Sequence, residues 1–265
     1  MRFIFSENSA DQLFANYFSN HEKWEYQTEL ALGGYGKTYL LLNKCDKKSY
    51  VLKRLRKKRA KSKEAKAFFE VEKSILQELS HPSIPKIVES GHINQFPFYI
   101  MEKVEGKTFD DLIFQEGKSY TFLESLHIVR ELLEIVQYLH NKNIIHRDLR
   151  IPNILTDGNQ LFVIDFGLAT KPVITTSIIT ENPKKEASYV SDLWGIGHFF
   201  LFLLYSSYEP SLQKEKSWHE ELPISDDAIT FIKKLLMVEP AFESTETAIS
   251  YVDTKLLGGN IHVNV

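Results

Sequence analysis

The fold of this chain is indicated first by the stretch HRDLRIPN at residues 146–153, which is followed by DFG at residues 165–167. The first stretch contains Asp148 and Asn153, and the second begins with Asp165. A carboxylate can orient an attacking hydroxyl group, and carboxylate and amide oxygens can bind a hard divalent cation. Transfer of a phosphoryl group from a nucleotide needs a group of each kind.

A glycine-rich segment, ALGGYGKT at residues 31–38, lies upstream between two predicted strands. Its glycines let backbone amides approach a phosphate without a β-carbon in the way. Taken alone, the segment favours a simple hairpin turn, because such a turn uses glycine for the same conformational reason. The lysine of a further predicted strand, Lys53, and the two downstream stretches favour phosphate binding instead, since that chemistry also needs a cation and metal ligands.

In this order, the segments resemble the catalytic core of the protein kinase superfamily, whose motifs include a glycine loop, a strand lysine, HRDxxxxN and DFG. The resemblance covers about residues 25–250. The chain looks like the small soluble bacterial serine/threonine kinases of the eukaryotic-like (Hanks) type. The resemblance implies an α+β, bilobal fold, with a small β-rich N-lobe and a larger helical C-lobe. It also implies transfer of the γ-phosphate of ATP to serine or threonine hydroxyls of proteins.

The resemblance implies nucleotide contacts for residues in both lobes. Lys53 would hold the α- and β-phosphates and pair with Glu72 of a predicted helix, with Glu70 and Glu78 as the alternative partners. Adenine would bind the backbone of Glu102 and Val104. The full set that the resemblance assigns to ATP is Gly33, Gly34, Gly36, Lys53, Glu102, Val104 and Leu155.

The catalytic and metal-binding residues that the resemblance implies lie mainly in the two downstream stretches. Asp148 would orient the substrate hydroxyl, and Arg150 would supply a permanent cation near the γ-phosphate. Asn153 and Asp165 would bind Mg²⁺, which bridges the phosphates. The catalytic set is then Asp148, Lys53, Glu72 and Arg150. Serine/threonine kinases usually carry lysine where Arg150 stands, and some tyrosine kinases carry arginine, so this position leaves the hydroxyl specificity open.

Hydrophobic periodicity and the resemblance divide the chain into three parts. These are an N-terminal helical extension at residues 1–23, an N-lobe at 24–102 and a C-lobe at 103–265. Residues 9–20 of the extension place large apolar side chains at helical spacing, namely Leu13, Phe14, Tyr17 and Phe18. We expect this helix to pack on the N-lobe rather than to insert in a membrane.

Two features of the C-lobe predict helices. Thr121 and Glu124 have the spacing of a capping box that opens a long helix. The most apolar stretch, residues 193–205, is shorter than the roughly 20 residues that cross a bilayer. A buried core helix is therefore predicted there, and no membrane span.

The composition fits an ordinary globular protein. The chain has 265 residues, of which 43% are hydrophobic and 25% charged, and its net charge is −3. This charge gives no reason to expect binding to nucleic acid. The single cysteine, Cys45, excludes an internal disulfide and indicates a reducing compartment, so we predict a cytoplasmic protein. Nothing in the sequence specifies the oligomeric state.

A basic run between residues 53 and 66 leaves binding of an acidic partner as an alternative. The run contains Arg54, Arg56, Lys57, Lys58, Arg59, Lys61 and Lys63. A solvated loop is the favoured interpretation of this run. A docking patch for acidic proteins, phosphate or nucleic acid is the alternative.

The sequence departs from the family pattern at several positions. Ala31 replaces the first loop glycine, and Thr38 and Val51 replace the usual valine and alanine near the adenine. The segment between Gly167 and Asp192 is short and lacks Ala-Pro-Glu, so we expect it to be ordered without phosphate. It still offers hydroxyls for phosphorylation, among them Thr175, Thr176 and Ser177.

Two other functions fit parts of the pattern. The departures would suit a nucleotide-binding pseudokinase that acts as a scaffold, although every residue with a chemical role is present. A small-molecule kinase of the aminoglycoside or choline type would share the spacing of Asp148 and Asn153. Such enzymes generally lack the arginine of HRD, which is Arg147 here. An active protein kinase is therefore the favoured hypothesis.

Overall fold

The structure is a computed structural model that describes residues 7–34, 36–172, 188–209 and 216–258. The chain divides into two compact units, Met1–Glu105 and Gly106–Val265. The boundaries predicted for the extension and the lobes stay predictions. The predicted phosphorylation sites Thr175, Thr176 and Ser177 lie outside the described residues.

The first unit is built on an antiparallel sheet. Its strands are β1 (Trp24–Leu32), β2 (Gly36–Asn43), β3 (Ser49–Leu55), β4 (Ile87–Ile93) and β5 (Phe96–Glu102). They are hydrogen-bonded in the order β1-β2-β3-β5-β4, and every neighbouring pair is antiparallel. Successive residues of a strand point to opposite faces of a sheet, so neighbouring side chains of β3 reach different partners.

Two helices accompany this sheet, α1 (Asn8–Ser19) and α2 (Lys63–Glu78). Phe14 and Phe18 of α1 are buried in one apolar cluster with sheet residues that include Trp24, Tyr39 and Phe98. The predicted N-terminal helix and its packing on the first unit are therefore confirmed. A short 3₁₀ turn, Lys57–Arg59, precedes α2, whose first turn is capped by the Ser62 hydroxyl at 3.1 Å from the Ala65 N–H.

The basic run is not a solvated loop throughout, and that prediction was wrong for two of its members. Arg54 belongs to β3 and is 0% exposed, and Arg56, which follows β3 closely, is 7% exposed. Both guanidinium groups bind carboxylates of the N-terminal segment. The sequence alone suggests that a run of like charges is solvated, because the acids that neutralise it lie in a distant segment. Among the remaining members, Lys57, Lys58, Lys61 and Lys63 are exposed.

The second unit is mainly helical. Its helices are α3 (Phe122–Asn141), α4 (Tyr189–Tyr205), α5 (Trp218–Glu221), α6 (Asp226–Leu235) and α7 (Thr245–Tyr251), with single turns at Asp111–Gln115, Ile151–Asn153 and Val252–Leu257. A small sheet contains β6 (Lys107–Thr108), β7 (Ile154–Thr156) and β8 (Leu161–Val163) in that order. With the sheet of the first unit, this arrangement confirms the predicted α+β class.

Two predicted features of the second unit are confirmed. The Thr121 hydroxyl accepts a hydrogen bond from the Glu124 N–H at 3.3 Å, and the Glu124 carboxylate accepts one from the Thr121 N–H at 2.8 Å. These two bonds form the capping box of α3. The apolar stretch at 193–205 lies in α4, whose buried residues include Leu193, Phe199 and Phe200. Within the part of the chain that the structure describes, no helix has the length and apolar character needed to cross a bilayer.

Helix α4 contacts the HRDLRIPN stretch through a glycine. A β-carbon at Gly195 would lie 2.9 Å from the carbonyl oxygen of Leu149, which is closer than such atoms approach in proteins. Glycine at this position therefore lets the backbone of the stretch rest directly on the backbone of the helix.

Candidate functional site

Lys53 and Glu72 form an ion pair in the first unit. The Lys53 Nζ lies 2.5 Å from Oε1 of Glu72 on α2, and Glu72 is 4% exposed. Of the alternative partners, Glu70 pairs with Lys73, and Glu78 is exposed at the end of α2. The structure therefore brings Lys53 together with Glu72.

Tyr99 holds the same carboxylate, and sequence reasoning missed it. Its hydroxyl donates a hydrogen bond to Oε1 of Glu72 at 2.9 Å, and Tyr99 lies directly opposite Lys53 in the register of β3 and β5. The cross-strand pairing that places these side chains together is a property of the sheet and not of a local motif.

The glycine loop, defined here as Gly33, Gly34 and Gly36, lies at the turn between β1 and β2. The Gly33 N–H donates a hydrogen bond to the Gly36 carbonyl at 2.9 Å. A β-carbon at Gly36 would lie 2.8 Å from Cε of Lys53, so this glycine makes room for the lysine side chain. A β-carbon at Gly34 would meet none of the described atoms within 4 Å, which leaves space beside the backbone there.

Two of the departures from the family pattern contact each other. The Thr38 hydroxyl accepts a hydrogen bond from the Ala31 N–H at 3.1 Å, and the two residues are partners in the register of β1 and β2. A valine at position 38 could not accept this bond. The threonine therefore ties the end of β1 to β2 next to the glycine loop.

The predicted adenine-contacting residues occupy two places. Glu102 ends β5, and its N–H donates a hydrogen bond to the Lys86 carbonyl at 2.9 Å. Val104 is half-buried beyond the end of that strand. Leu155 lies in β7 of the second unit and is buried.

Residues 146–153 of the second unit are called the catalytic loop here. In this loop, Asn153 and Arg150 contact the carboxylate of Asp148. The Asn153 Nδ2 donates hydrogen bonds to the backbone carbonyl of Asp148 at 2.9 Å and to its Oδ2 at 2.8 Å. The Arg150 Nε lies 3.2 Å from the same carboxylate. Asn153 is buried, whereas the Arg150 side chain is exposed. The Asp148 carboxylate is thus held on one side by a rigid amide and on the other by a cation in solvent.

Asp165 follows β8 and has an exposed side chain. Its φ angle is 60°, which is the left-handed region that non-glycine residues seldom adopt. The segment before it is tied to the catalytic loop, because the Ile164 N–H donates a hydrogen bond to the Asn153 carbonyl at 3.0 Å. The Phe166 ring contacts the His146 ring edge-on at 4.7 Å between centroids.

A buried aspartate that sequence reasoning did not assign to the site anchors the catalytic loop. Asp192 of α4 is 0% exposed, and its carboxylate accepts hydrogen bonds from the His146 N–H at 2.9 Å and the Arg147 N–H at 2.7 Å. Nε2 of His140 lies 2.9 Å from the same carboxylate. Arg147 has a φ angle of 67°, a conformation that these bonds hold in place.

His146 is buried and uncharged. Burial lowers the pKa of its imidazole, and the neighbouring carboxylates of Asp192, Asp165 and Asp148 oppose that change without cancelling it. Its Nε2 lies 3.2 Å from the Ile164 carbonyl. A neutral ring therefore joins the catalytic loop to the segment that ends in Asp165.

The donor set of the second unit fits a hard divalent cation. Both bonds that Asn153 donates to Asp148 come from Nδ2, so its amide oxygen is the atom that can bind a cation. Asp165 offers a carboxylate to solvent. Among the described residues there is no cluster of three or more His, Cys, Asp and Glu side chains that could enclose a metal. Mg²⁺ commonly uses one or two protein oxygens and completes its shell with phosphate and water, which suits this pair.

Comparison with known proteins agrees with this geometry. Residues 24–250 match the family model described as Protein kinase domain. The chain is 34% identical over 226 residues to a probable serine/threonine-protein kinase, YbdM, of Bacillus subtilis, with 85% of this chain and 86% of that protein covered. It is 28% identical over 246 residues to myosin light chain kinase A of Dictyostelium discoideum, with 82% of each chain covered. It is 27% identical to calcium/calmodulin-dependent protein kinase type 1 of Caenorhabditis briggsae, with 91% of this chain and 74% of that protein covered.

Proposed function

We propose that the reaction of this chain is centred on the Asp148 carboxylate. The chain belongs to the protein kinase domain family and is an ATP-dependent protein serine/threonine kinase. The observation that carries this proposal is the pair of hydrogen bonds from Asn153, which fixes the carboxylate at 2.8 Å from a buried amide. A fixed carboxylate can orient an incoming hydroxyl without first reorganising.

In the proposed reaction, the serine or threonine hydroxyl of a protein substrate donates its hydrogen bond to Asp148. The hydroxyl oxygen attacks the γ-phosphorus of ATP, the bond from that phosphorus to the bridging oxygen breaks, ADP leaves, and the hydroxyl proton passes to Asp148. Magnesium is the proposed divalent cation, and it would offset the negative charge of the phosphates. Asn153 and Asp165 would hold it through the amide oxygen and the carboxylate.

Two cations would bind the phosphates. Lys53 would contact the α- and β-phosphates, while Glu72 and the Tyr99 hydroxyl fix its position. Arg150 would approach the γ-phosphate from solvent and supply a positive charge there. The glycine loop would contribute backbone N–H groups. These are the interactions that stabilise charge during phosphoryl transfer.

The alternatives are not favoured. A pseudokinase would not need Asp148 or its bonds to Asn153, yet the structure brings both residues together. A small-molecule kinase is not supported by the three relatives described above, two of which are named as protein kinases and the third as a myosin light chain kinase. We further propose that the protein acts in the cytoplasm on protein substrates. Burial of Arg54 and Arg56 leaves fewer basic side chains for nucleic acid.

The experiment that tests the proposal is transfer of labelled γ-phosphate from Mg-ATP to the protein itself, to a generic protein substrate and to a panel of small alcohols. We expect label on protein hydroxyls and none on the alcohols. Asp148→Asn should lower turnover by about 10³-fold, because the amide no longer accepts the hydroxyl proton. Asp157→Asn is the matched control, since Asp157 is an exposed acid of the same unit that caps a turn.

The melting temperature of each variant separates loss of chemistry from loss of fold. Asp148→Asn is expected to melt within a few degrees of the parent, since the amide retains the bonds from Asn153. Turnover of Asp148→Asn above a few per cent of the parent would contradict the role of Asp148. Labelled alcohols with unlabelled protein would instead support the small-molecule alternative.

A further inference from the structure

The N-terminal segment supplies a buried carboxylate that binds two arginines of the basic run. Glu7, which directly precedes α1, is 2% exposed. Its carboxylate accepts hydrogen bonds from Nη1 of Arg54 at 3.0 Å, the backbone N–H of Lys57 at 3.1 Å and Nε of Arg56 at 3.5 Å. Burial acts to raise the pKa of Glu7, but these bonds outweigh it and the pKa is lowered, so the group is ionised at neutral pH.

Arg56 links this carboxylate to the glycine loop. While its Nε faces Glu7, its Nη1 donates a hydrogen bond to the carbonyl oxygen of Gly33 at 2.9 Å. The N–H of the same glycine donates to the Gly36 carbonyl at 2.9 Å. The buried guanidinium therefore fixes the first half of the loop from the side of the N-terminal segment.

A second link reaches the other end of the loop. Lys37 directly follows Gly36, and its Nζ lies 2.7 Å from Oδ2 of Asp11 on α1 and 2.7 Å from Oε2 of Glu29 on β1. Asp11 also accepts hydrogen bonds at 2.5 Å from the Tyr39 hydroxyl and from Nη2 of Arg54. Both ends of the glycine loop are thus connected to acids, one in α1 and one in the residue that precedes it.

The α1 network, defined as Glu7, Asp11, Glu29, Lys37, Arg54 and Arg56, has no net charge. Three carboxylates face three cations, and the Glu29 side chain is 50% exposed whereas the other five are largely buried. Buried charges can be accommodated when they are paired in this way. Glycine-rich backbone is otherwise free to sample many conformations. Restricting it before a ligand binds lowers the entropy lost on binding and so raises affinity.

We propose that the segment Glu7–Ser19 positions the glycine loop for the phosphates of ATP, with Arg56 as the positioning residue that transmits the constraint. The proposal rests on the proposed function only in taking ATP as the ligand. It assigns to the N-terminal extension a role in setting phosphate affinity. Arg56 contacts the loop backbone, and in this proposal it acts on the nucleotide only through that backbone.

The test compares binding of Mg-ATP with binding of adenosine, which lacks phosphates. Arg56→Gln should weaken binding of Mg-ATP about tenfold, the loss that corresponds to one charge-assisted hydrogen bond, and leave adenosine binding unchanged. In turnover, the KM for ATP should rise by a similar factor while kcat changes by less than about twofold. Arg56→Lys, which keeps the charge, should recover part of the loss. Lys61→Gln is the matched control, because it removes an exposed positive charge from the same basic run.

A structural role alone would give a different result. In that case Arg56→Gln would lower the melting temperature but leave the ratio of Mg-ATP to adenosine affinity equal to that of the parent, and the proposal would be overturned. If Arg56→Gln does not fold, Arg56→Lys is tested by the same ratio of Mg-ATP to adenosine affinity. We expect this ratio to change about threefold. An unchanged ratio would overturn the proposal. The ratio does not depend on Asp148, so an error in the proposed catalytic roles leaves this test intact.

Discussion

Lys53 and Arg54 are neighbours in β3, but their side chains serve opposite faces of the sheet. Lys53 pairs with Glu72 of α2, and its side chain is 11% exposed. Arg54 is completely buried, and its guanidinium donates to Glu7, Asp11, the Tyr39 hydroxyl and the Leu55 carbonyl. It also lies over the rings of Phe14, Tyr39 and Phe96 at 5.5–5.8 Å.

The difference between these two cations lies in how their donors are used. All three nitrogens of the Arg54 guanidinium are committed to groups of the protein, so the residue is built into the fold. Lys53 instead carries a compact ammonium group that contacts Glu72, and its side chain packs against Gly36 of the glycine loop. Position in the same strand therefore does not imply the same role, and the partners of each cation decide it.

Removing Lys53 is the most severe test of this comparison. Lys53→Met should lower turnover by about 10³-fold, because in the proposed reaction the ammonium stabilises phosphate charge in the transition state. The free energy of unfolding should fall by no more than about 2 kcal/mol, since the Tyr99 hydroxyl still donates to Glu72. Steady-state kinetics and denaturant unfolding measure the two effects. A variant that unfolds before its turnover can be measured would show that Lys53, like Arg54, is mainly structural.

Removing Arg54 should give the opposite profile. Arg54→Met leaves Glu7 and Asp11 buried with fewer cations, so we expect the free energy of unfolding to fall by about 3–5 kcal/mol. At low temperature, the folded protein should keep its kcat within about threefold. Denaturant unfolding and kinetics at saturating ATP check both statements.

The control for Arg54→Met neutralises the two acids in the same variant that removes the arginine. Glu7→Gln and Asp11→Asn, combined with Arg54→Met, should recover part of the lost stability, because unpaired charges and not missing contacts dominate the cost. If the combined variant is less stable than Arg54→Met alone, the α1 network contributes through geometry and not through charge balance.

The sequence predicted Lys53 but not the role of Arg54, for a physical reason. The predicted helices, the capping box of Thr121 and Glu124 and the strands at the glycine loop depend on signals within a few residues. Arg54 depends on acids that lie 43 and 47 residues away along the chain, and such distant pairs leave no local pattern. The same holds for Asp192, whose carboxylate binds the catalytic loop across 45 and 46 residues.

A smaller effect concerns a residue that is buried without charge, in contrast to Arg54. Burial lowers the pKa of His146, so unfolding adds a proton to its imidazole below the ordinary pKa of 6.5. Stability should therefore fall as the pH falls below 6.5, with a slope of at most about 1.4 kcal/mol per pH unit from this group. Above pH 6.5, the stability should not depend on the protonation of His146. Denaturant unfolding from pH 7.5 to 5.5 measures the slope.

His146→Gln should reduce this slope, whereas His219→Gln, at an exposed position of α5, should leave it unchanged. Burial also lowers the pKa of His81, which therefore contributes a slope of the same sign. The slope of each variant is for this reason compared with the slope of the parent protein and not with a slope of zero. An unchanged slope in His146→Gln would mean that His146 is not the group that takes up the proton.

The contact between Gly195 and Leu149 has a mechanical consequence. A side chain between two backbones acts as a compliant spacer, because its rotamers can absorb small displacements. At Gly195 there is no such spacer, and a methyl group there would lie only 2.9 Å from the Leu149 carbonyl oxygen. Thermal displacements of the loop that carries Asp148 are therefore limited to those of a buried helix. The position of the Asp148 carboxylate is well defined because the loop packs directly on α4.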